Sequence, residues 1–389
     1  MYKVILKKNE EKRIINGSNT IYANEVLRVE NKDKNGSLAE VYSFDDKFLG
    51  KGYINHLSKV LVRLFLNKDE DDSKELFKER IKKANDFRVS LGLSSAYRMV
   101  FSEADALPGL IIDKYEDIYV IEISSLGMDL KKDIIVESII ELFNPKGIYE
   151  RCEENLRTKE GLKSIESTLY GEVPDSVIIT ENGLKLSVHI KEGQKTGYFL
   201  DQKDNRLALR RYTKGKTVLD CFSNSGGFSL NACTNALKVT AVDISERAID
   251  NVKENAKLNG FNNIDTITGD VFKVLRDFKK DGTKFDVIVL DPPAFTKSVS
   301  EVSDALRGYK DINILAMKLL NEGGILISSS CSHFITPVLF SKMLIDSARE
   351  AKVNARCIEI KSQAPDHPSL LLSDETQYLK FYVLQINKR

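Results

Sequence analysis

Apolar and polar positions along the chain change rhythm three times. From residue 1 to about 67, short alternating runs at 2–6, 25–29, 38–44, 48–54 and 60–66 are separated by turn formers such as Asp33, Asn35-Gly36 and Asp45-Asp46. Period-two alternation broken by frequent turns predicts a small all-β barrel. The charged run 68–72 ends that pattern, and Ser73 stands where it can cap a helix whose Leu76, Phe77, Ile81, Ala84 and Phe87 recur every three to four residues. Strands at 97–101, 110–113, 118–124, 147–151 and 184–190 around one helix at 131–142 then predict an α+β section. From Thr217 onward, strands at 217–220, 238–243, 263–268, 285–291, 324–330, 353–360 and 378–386 alternate with amphipathic helices. Four of these strands are almost wholly apolar, as a parallel sheet covered on both faces requires, which predicts a doubly wound α/β domain. Its best-marked helix has Ser245 as N-cap, Glu246 in the first turn, Ile249, Val252 and Ala256 on the buried face and Gly260 as the stop. The expected domains are 1–70, 73–190 and 191–389.

Composition narrows the function classes. A chain of 389 residues has room for several cores. Lys and Arg number 58 against 57 Asp and Glu, a net charge of +1, so any nucleic-acid contact must be local. No apolar run approaches the roughly 18–20 residues of a membrane span, and the first residues alternate where a signal peptide would be continuously apolar. A cytoplasmic protein with no membrane partner is expected. The five cysteines, Cys152, Cys221, Cys233, Cys331 and Cys357, form no CxxC pair, and only His333 lies beside a cysteine, so neither a disulfide framework nor a metal site is expected.

The candidate chemistry lies at strand ends. Residues 218–228, Val-Leu-Asp-Cys-Phe-Ser-Asn-Ser-Gly-Gly-Phe, read as strand, small-residue turn and helix start, where backbone can approach a ligand closely. The G-x-G-x-x-G spacing of a diphosphate grip is missing. Asp243 ends the second strand, where a carboxylate can accept from ribose hydroxyls, and Asp270 follows the third, where it can accept from an adenine amino group. Either aspartate can equally serve only as a helix cap; together with the glycine turn they favour an adenosine ligand without a diphosphate. Asp291-Pro292-Pro293 ends the fourth strand, and two prolines there hold the backbone rigidly at the ligand edge of the sheet. Ser330-Cys331-Ser332 ends the fifth, which puts Cys331 beside Asp291 in the usual strand order. The segment 191–206 mixes polar and small residues with Tyr198-Phe199-Leu200, too apolar for a solvated linker, and reads as a lid over the cofactor.

These features resemble the S-adenosylmethionine-dependent RNA methyltransferases of the class I, Rossmann-like fold. More narrowly, the whole chain resembles the bacterial enzymes that make 5-methylcytosine in 23S rRNA, with an N-terminal PUA domain, a middle α+β domain and a C-terminal catalytic domain. Matching stretches are 48–52 (Phe-Leu-Gly-Lys-Gly), 104–113, the string Gly193 to Gln202 and Ser330-Cys331-Ser332. The first domain departs from the family pattern, since Ile14-Ile15-Asn16-Gly17-Ser18 stands where a Pro-Trp pair is usual. The resemblance implies S-adenosyl-L-methionine as cofactor. It also implies a binding set of Thr196, Tyr198, Phe199, Asp201, Arg206, Phe222, Ser223, Gly226, Gly227, Asp243, Ile244, Asp270, Val271, Asp291 and Pro292. The implied partner is RNA, 23S rRNA first, with a homodimer left open. The basic helix with Lys74, Lys78, Arg80, Lys82, Lys83 and Arg88 is a candidate to help the first domain hold it, against the plainer reading of a solvated face.

Carbon 5 of cytosine is too weak a nucleophile to take a methyl group unaided, so a thiolate must first add at carbon 6. Cys331 is the expected nucleophile, and Asp291 is expected to hold the amino edge of the base. Two alternatives stay open: methylation of a purine amino group through the Asp-Pro-Pro motif, and a catalytically silent rRNA-binding protein.

Overall fold

The computed structural model describes every residue except Glu153, Gln194, Lys297 and 373–375. The chain divides into two compact units. One comprises 1–179, 188–200 and 365–376; the other comprises 180–187, 201–364 and 377–389.

The first unit opens with six strands, β1 (Tyr2–Leu6), β2 (Thr20–Tyr22), β3 (Val26–Glu30), β4 (Leu38–Tyr42), β5 (Phe48–Ile54) and β6 (Val60–Leu66), in a sheet of order β2-β6-β5-β4-β1-β3. The sheet curls into a half-barrel over Val4, Leu6, Ile21, Val41, Ile54 and Val62, the inward members of the alternating runs. A second sheet, order β11-β10-β9-β8-β7, is built from β7 (Ala96–Phe101), β8 (Leu110–Tyr115), β9 (Ile118–Ile123), β10 (Gly147–Arg151) and β11 (Glu166–Gly171). The helices Lys74–Ser90 and Lys132–Phe143 supply Phe77, Ile81, Ile135 and Ile139 to its core, and Ser73 caps the first of them through Leu76 N. Tyr53, Phe65 and Leu66 also enter this core, so the two sheets share apolar packing.

Strands β2 and β11 carry little period-two signal. The first is three residues long, and the second has no residue buried as an edge strand of its sheet. A separate hairpin follows, β12 (Ser176–Glu181) with β13 (Leu184–His189), so the run expected at 184–190 pairs with a strand unmarked in the sequence rather than with the middle sheet.

The second unit contains the seven-stranded sheet. Its strands are β14 (Thr217–Cys221), β15 (Lys238–Asp243), β16 (Ile264–Thr268), β17 (Phe285–Leu290), β18 (Leu320–Ser330), β19 (Val353–Lys361) and β20 (Lys380–Lys388), in the order β16-β15-β14-β17-β18-β20-β19. The pairs from β16 to β18 are parallel, and β20 inserts antiparallel between β18 and β19. Alternate residues serve two cores: Leu219, Ile288, Leu290 and Leu326 face one, Val218, Val287, Val289 and Ile327 the other. Each fully buried aliphatic side chain contributes roughly 1.5–3 kcal/mol, which is why these strands read as continuous apolar runs. Among the described residues, no helix is long and apolar enough to cross a membrane.

Candidate functional site

The strand order reverses at β14, whose neighbours are β15 on one side and β17 on the other. Open parallel sheets bind ligands at the carboxyl ends flanking such a reversal, because adjacent loops there diverge and leave a crevice. The turn at 222–227, Asp291 and Cys331 follow strands at that edge, and Asp243 is the last residue of β15 there.

The turn is conformationally expensive. Phe222, Asn224 and Gly226 have φ of 63°, 48° and 85°, and a Cβ on Gly226 would come within 3.2 Å of Val252. Non-glycine residues in the left-handed region cost free energy, and the neighbouring strand holds them there. Ser223 N donates to Val242 O at 3.0 Å and Asn224 N to Asp243 Oδ2 at 2.9 Å. Asp243 Oδ1 accepts from Ser245 N at 2.9 Å. Each oxygen of Asp243 retains lone-pair capacity after accepting one main-chain N–H. Asp270 caps the helix Val271–Asp281 by accepting from Lys273 N at 2.9 Å. Asp270 therefore does the capping work of the plainer reading, whereas Asp243 ties the glycine turn to its own strand end and leaves the cap of the next helix to Ser245.

Four carboxylates converge around this edge. Asp220 is buried to 1% exposure, accepts from Ser229 Oγ at 2.6 Å, and keeps Oδ1 buried without a hydrogen bond. Burial, with repulsion from Asp291 and Asp243, pushes its carboxyl up to about 7. Asp291 Oδ1 accepts from Gln202 Nε2 at 2.9 Å and from the Ser329 hydroxyl. Burial, with repulsion from Asp201, pushes Asp291 up to about 6. Asp201 in turn accepts from Tyr378 Oη at 2.6 Å. A crevice whose carboxylates destabilise one another suits a cationic ligand.

The fit to S-adenosylmethionine rests on these groups. Among the described residues the buried Ser223 hydroxyl has no hydrogen-bond partner, a Cβ at Gly226 would be strained by its positive φ and crowd Val252, Asp243 can accept further hydrogen bonds, and the carboxylates favour a sulfonium. Gly227 and Pro292 are buried beside Gly226 and Asp291, and Ile244 leaves 70% of its surface exposed next to Asp243. Val271, by contrast, sends its side chain into the core, leaving only its main chain for a ligand. Arg206 lies 4% exposed and pairs with the buried Glu181 at 2.9 Å, with its guanidinium 5.9 Å from the centre of the Phe228 ring.

The structure does not place the whole expected set in one unit. Thr196, Tyr198 and Phe199 belong to the first unit, where the Thr196 hydroxyl donates to Asp113 and lies 3.3 Å from Tyr115 Oη. Tyr198 N donates to the same Tyr115 hydroxyl at 3.3 Å, and Lys195 stands 4.9 Å over the Phe199 ring. Gln194, part of the same motif, lies outside the described residues.

Cys331 is half-buried after the last residue of β18, and Leu290 at the end of β17 pairs with Ser328. Burial pushes Cys152 and Cys233 up to about 12 and Cys221 well above the ordinary thiol range, so these remain protonated. Cys357 is exposed on β19. The hydroxyls of Ser330 and Ser332 meet Tyr309 Oη at 3.0 and 3.1 Å. Sequence pattern did not mark Asp220, Gln202, Ser329, Tyr309 or Lys380. Asp220 had a local signal, as the acidic end of the strand leading into the glycine turn, and Gln202 another, as the last residue of the matching string from Gly193.

The basic helix of the first unit spends most of its charge internally. Lys74 and Lys78 pair with Glu141, Arg80 with Glu70, Lys82 with Asp86 and the buried Arg88 with Asp105. Lys74, Lys78 and Lys82 lie on a solvated, ion-paired face, and Arg88 belongs to the interior of the unit.

Comparison with known proteins agrees with this geometry. A family described as S-adenosylmethionine-dependent methyltransferase matches residues 156–381, and a PUA-like domain matches 4–66. The chain is 40% identical over 391 aligned residues to ribosomal RNA large subunit methyltransferase I of Aeromonas salmonicida, covering 98% of both chains. It is 39% identical to the protein of that name from Vibrio cholerae, covering 98% of this chain and 99% of the other. A methyltransferase crystallised with S-adenosylhomocysteine superposes with a TM-score of 0.87 at 24% identity, covering 99% of this chain and all of the other, and shows the shared fold.

Proposed function

The chain belongs to the S-adenosylmethionine-dependent methyltransferase family, and from that premise we propose that it methylates carbon 5 of a cytosine in large-subunit ribosomal RNA. One observation carries the choice of carbon over nitrogen: a half-buried cysteine follows the strand next to the one that ends at Asp291. The names of the full-length relatives support the RNA substrate, and the PUA-like domain supports RNA contact outside the catalytic unit.

Cofactor binding falls to Ser223, Gly226, Gly227, Asp243, Ile244 and Asp270, with main-chain contributions from Phe222 and Val271. The bound group supplies an electrophilic methyl on a sulfonium. Cys331 as thiolate adds to carbon 6, forming the S–C bond and sending the ring electron pair toward carbon 5 and N3. Asp291 meets the amino edge and N3 of the base, and a carboxyl held near 6 can lend a proton to N3 as negative charge builds there. As carbon 5 takes the methyl group, the N3 proton returns to the Asp291 carboxylate; solvent water then takes the carbon 5 proton, and that C–H electron pair forms the C5–C6 double bond as the S–C bond breaks and the thiolate leaves. Gln202 and Ser329 orient the Asp291 carboxylate by donating to its Oδ1.

Amino-group methylation needs an aromatic ring to stack on the base after the Asp-Pro-Pro motif. Ala294 occupies that place, and Phe295 is packed 4.6 Å from Tyr309 and 6.2 Å from Phe272, ring centre to ring centre. The test is nucleoside mass mapping of rRNA methylated by wild type, Cys331→Ala and Cys221→Ala. Cys331→Ala should bind S-adenosylmethionine and form no 5-methylcytosine, while Cys221→Ala stays active. A methylated nitrogen in the wild-type product would overturn the reading.

A further inference from the structure

Lys380 sits on β20 opposite Ser330, the residue before Cys331. It is 5% exposed, and its Nζ donates to Ser332 O at 2.6 Å and to Tyr378 O at 2.7 Å. The ammonium thus holds the main chain on the far side of Cys331 and is tied to the strand on which Cys331 rides. Among the described residues, its recorded partners are two neutral carbonyls and no carboxylate.

Burying a cation against neutral acceptors alone is costly, because carbonyl dipoles replace only part of its hydration. We propose that Lys380 is the fixed counter-ion of the Cys331 thiolate, positioning the nucleophile and holding it as the anion before cytosine arrives. The proposal rests on the reading of Cys331 as nucleophile and deepens it.

The electrostatics agree with the placement. Burial pushes Lys380 down to about 8, and the negative charge of Cys331 opposes that shift. Among the described residues, the other groups placed near Cys331 offer no buried cation. Tyr309, on the helix Val302–Leu319, is pushed up to about 12 by burial and stays neutral, and Asp291 beyond β17 is acidic. His333, two residues on, is exposed, with its ring 6.2 Å from that of Tyr378. Neighbouring cations lower a thiol's pKa, and among the described residues Lys380 is a cation kept out of water beside Cys331.

The test compares wild type, Lys380→Gln and Lys380→Arg, each first shown to bind S-adenosylmethionine like wild type. Iodoacetamide labelling across a pH series is followed at Cys331 by peptide mass spectrometry, with Cys357 as internal reference and His333→Asn as control for the histidine. Adduct formation with RNA containing 5-fluorocytosine is measured in parallel. Gln retains donors for the carbonyls but no charge, so the Cys331 labelling midpoint should rise by about one unit or more and adduct formation near neutrality should fall by about tenfold. Arg should restore both. Should the Gln variant fail to fold, Lys380→Met carries the same readout. An unmoved Cys331 midpoint in a folded, uncharged variant overturns the counter-ion while leaving the nucleophile intact. A Cys331→Ala protein that still makes 5-methylcytosine removes the underlying reading instead.

Discussion

Asp220→Asn should stabilise the protein in alkaline solution and lose that advantage in acid. The wild-type carboxyl is buried, accepts one hydroxyl, and faces two other carboxylates, which raises it from 3.8 to about 7. The folded state therefore holds a proton that the unfolded chain releases, so this group favours folding at low pH and that contribution is lost as pH climbs through about 7. At about pH 5 the unfolded side chain is ionised and the folded one is protonated, and by about pH 8.5 both are ionised. Between those conditions wild type gives up about two pKa units at ~1.4 kcal/mol each, roughly 3 kcal/mol. Asparagine does not titrate. Its amide places a donor where Oδ1 now has no partner, a constant cost of about 1–3 kcal/mol that cancels when the two pH values are compared. Urea denaturation of both proteins by circular dichroism at the two pH values gives the difference directly. The stability of Asp220→Asn relative to wild type should rise by about 3 kcal/mol from the acidic to the alkaline condition. A flat or reversed difference would refute the buried, proton-holding carboxylate.

Two further substitutions probe the cofactor edge. Asp243→Ala removes a charge-assisted acceptor worth roughly 1.5–3 kcal/mol, so calorimetry should show S-adenosylmethionine binding weakened by about ten- to a hundredfold; wild-type affinity in a folded variant would remove Asp243 from the site. Arg206→Met leaves Glu181 buried at 2% exposure without its partner, which should cost about 3–5 kcal/mol of stability. The double variant Arg206→Met with Glu181→Met should recover most of that loss in the same denaturation assay, and an additive double variant would show the pair to be uncoupled.

The alternation of apolar residues determined much of this protein before any contact was known. Strands buried on both faces, such as 285–290, must be apolar throughout, and a helix with one buried face, such as that after Ser245, must repeat every three to four residues. Both kinds of element were legible for that reason, as were the strand ends that carry Asp243, Asp291 and Cys331. Elements lying mostly in solvent gave no such signal: β11, at the edge of its sheet with no residue buried, was invisible. The cofactor family was legible in local strings because close backbone approach demands small residues at fixed places.

Only the tertiary structure decided what surrounds those residues. Lys380 is far from Cys331 in sequence, and it reaches the strand that leads to Cys331 because β20 inserts antiparallel beside β18. Asp291 acquires Gln202 and Ser329 from two other elements, and Arg206 is committed to Glu181 of the hairpin. Hydrophobic periodicity records whether a position is buried and says nothing of which partner buries it. Pairings between distant charges, and the proton affinities they set, therefore arise only when the chain is folded.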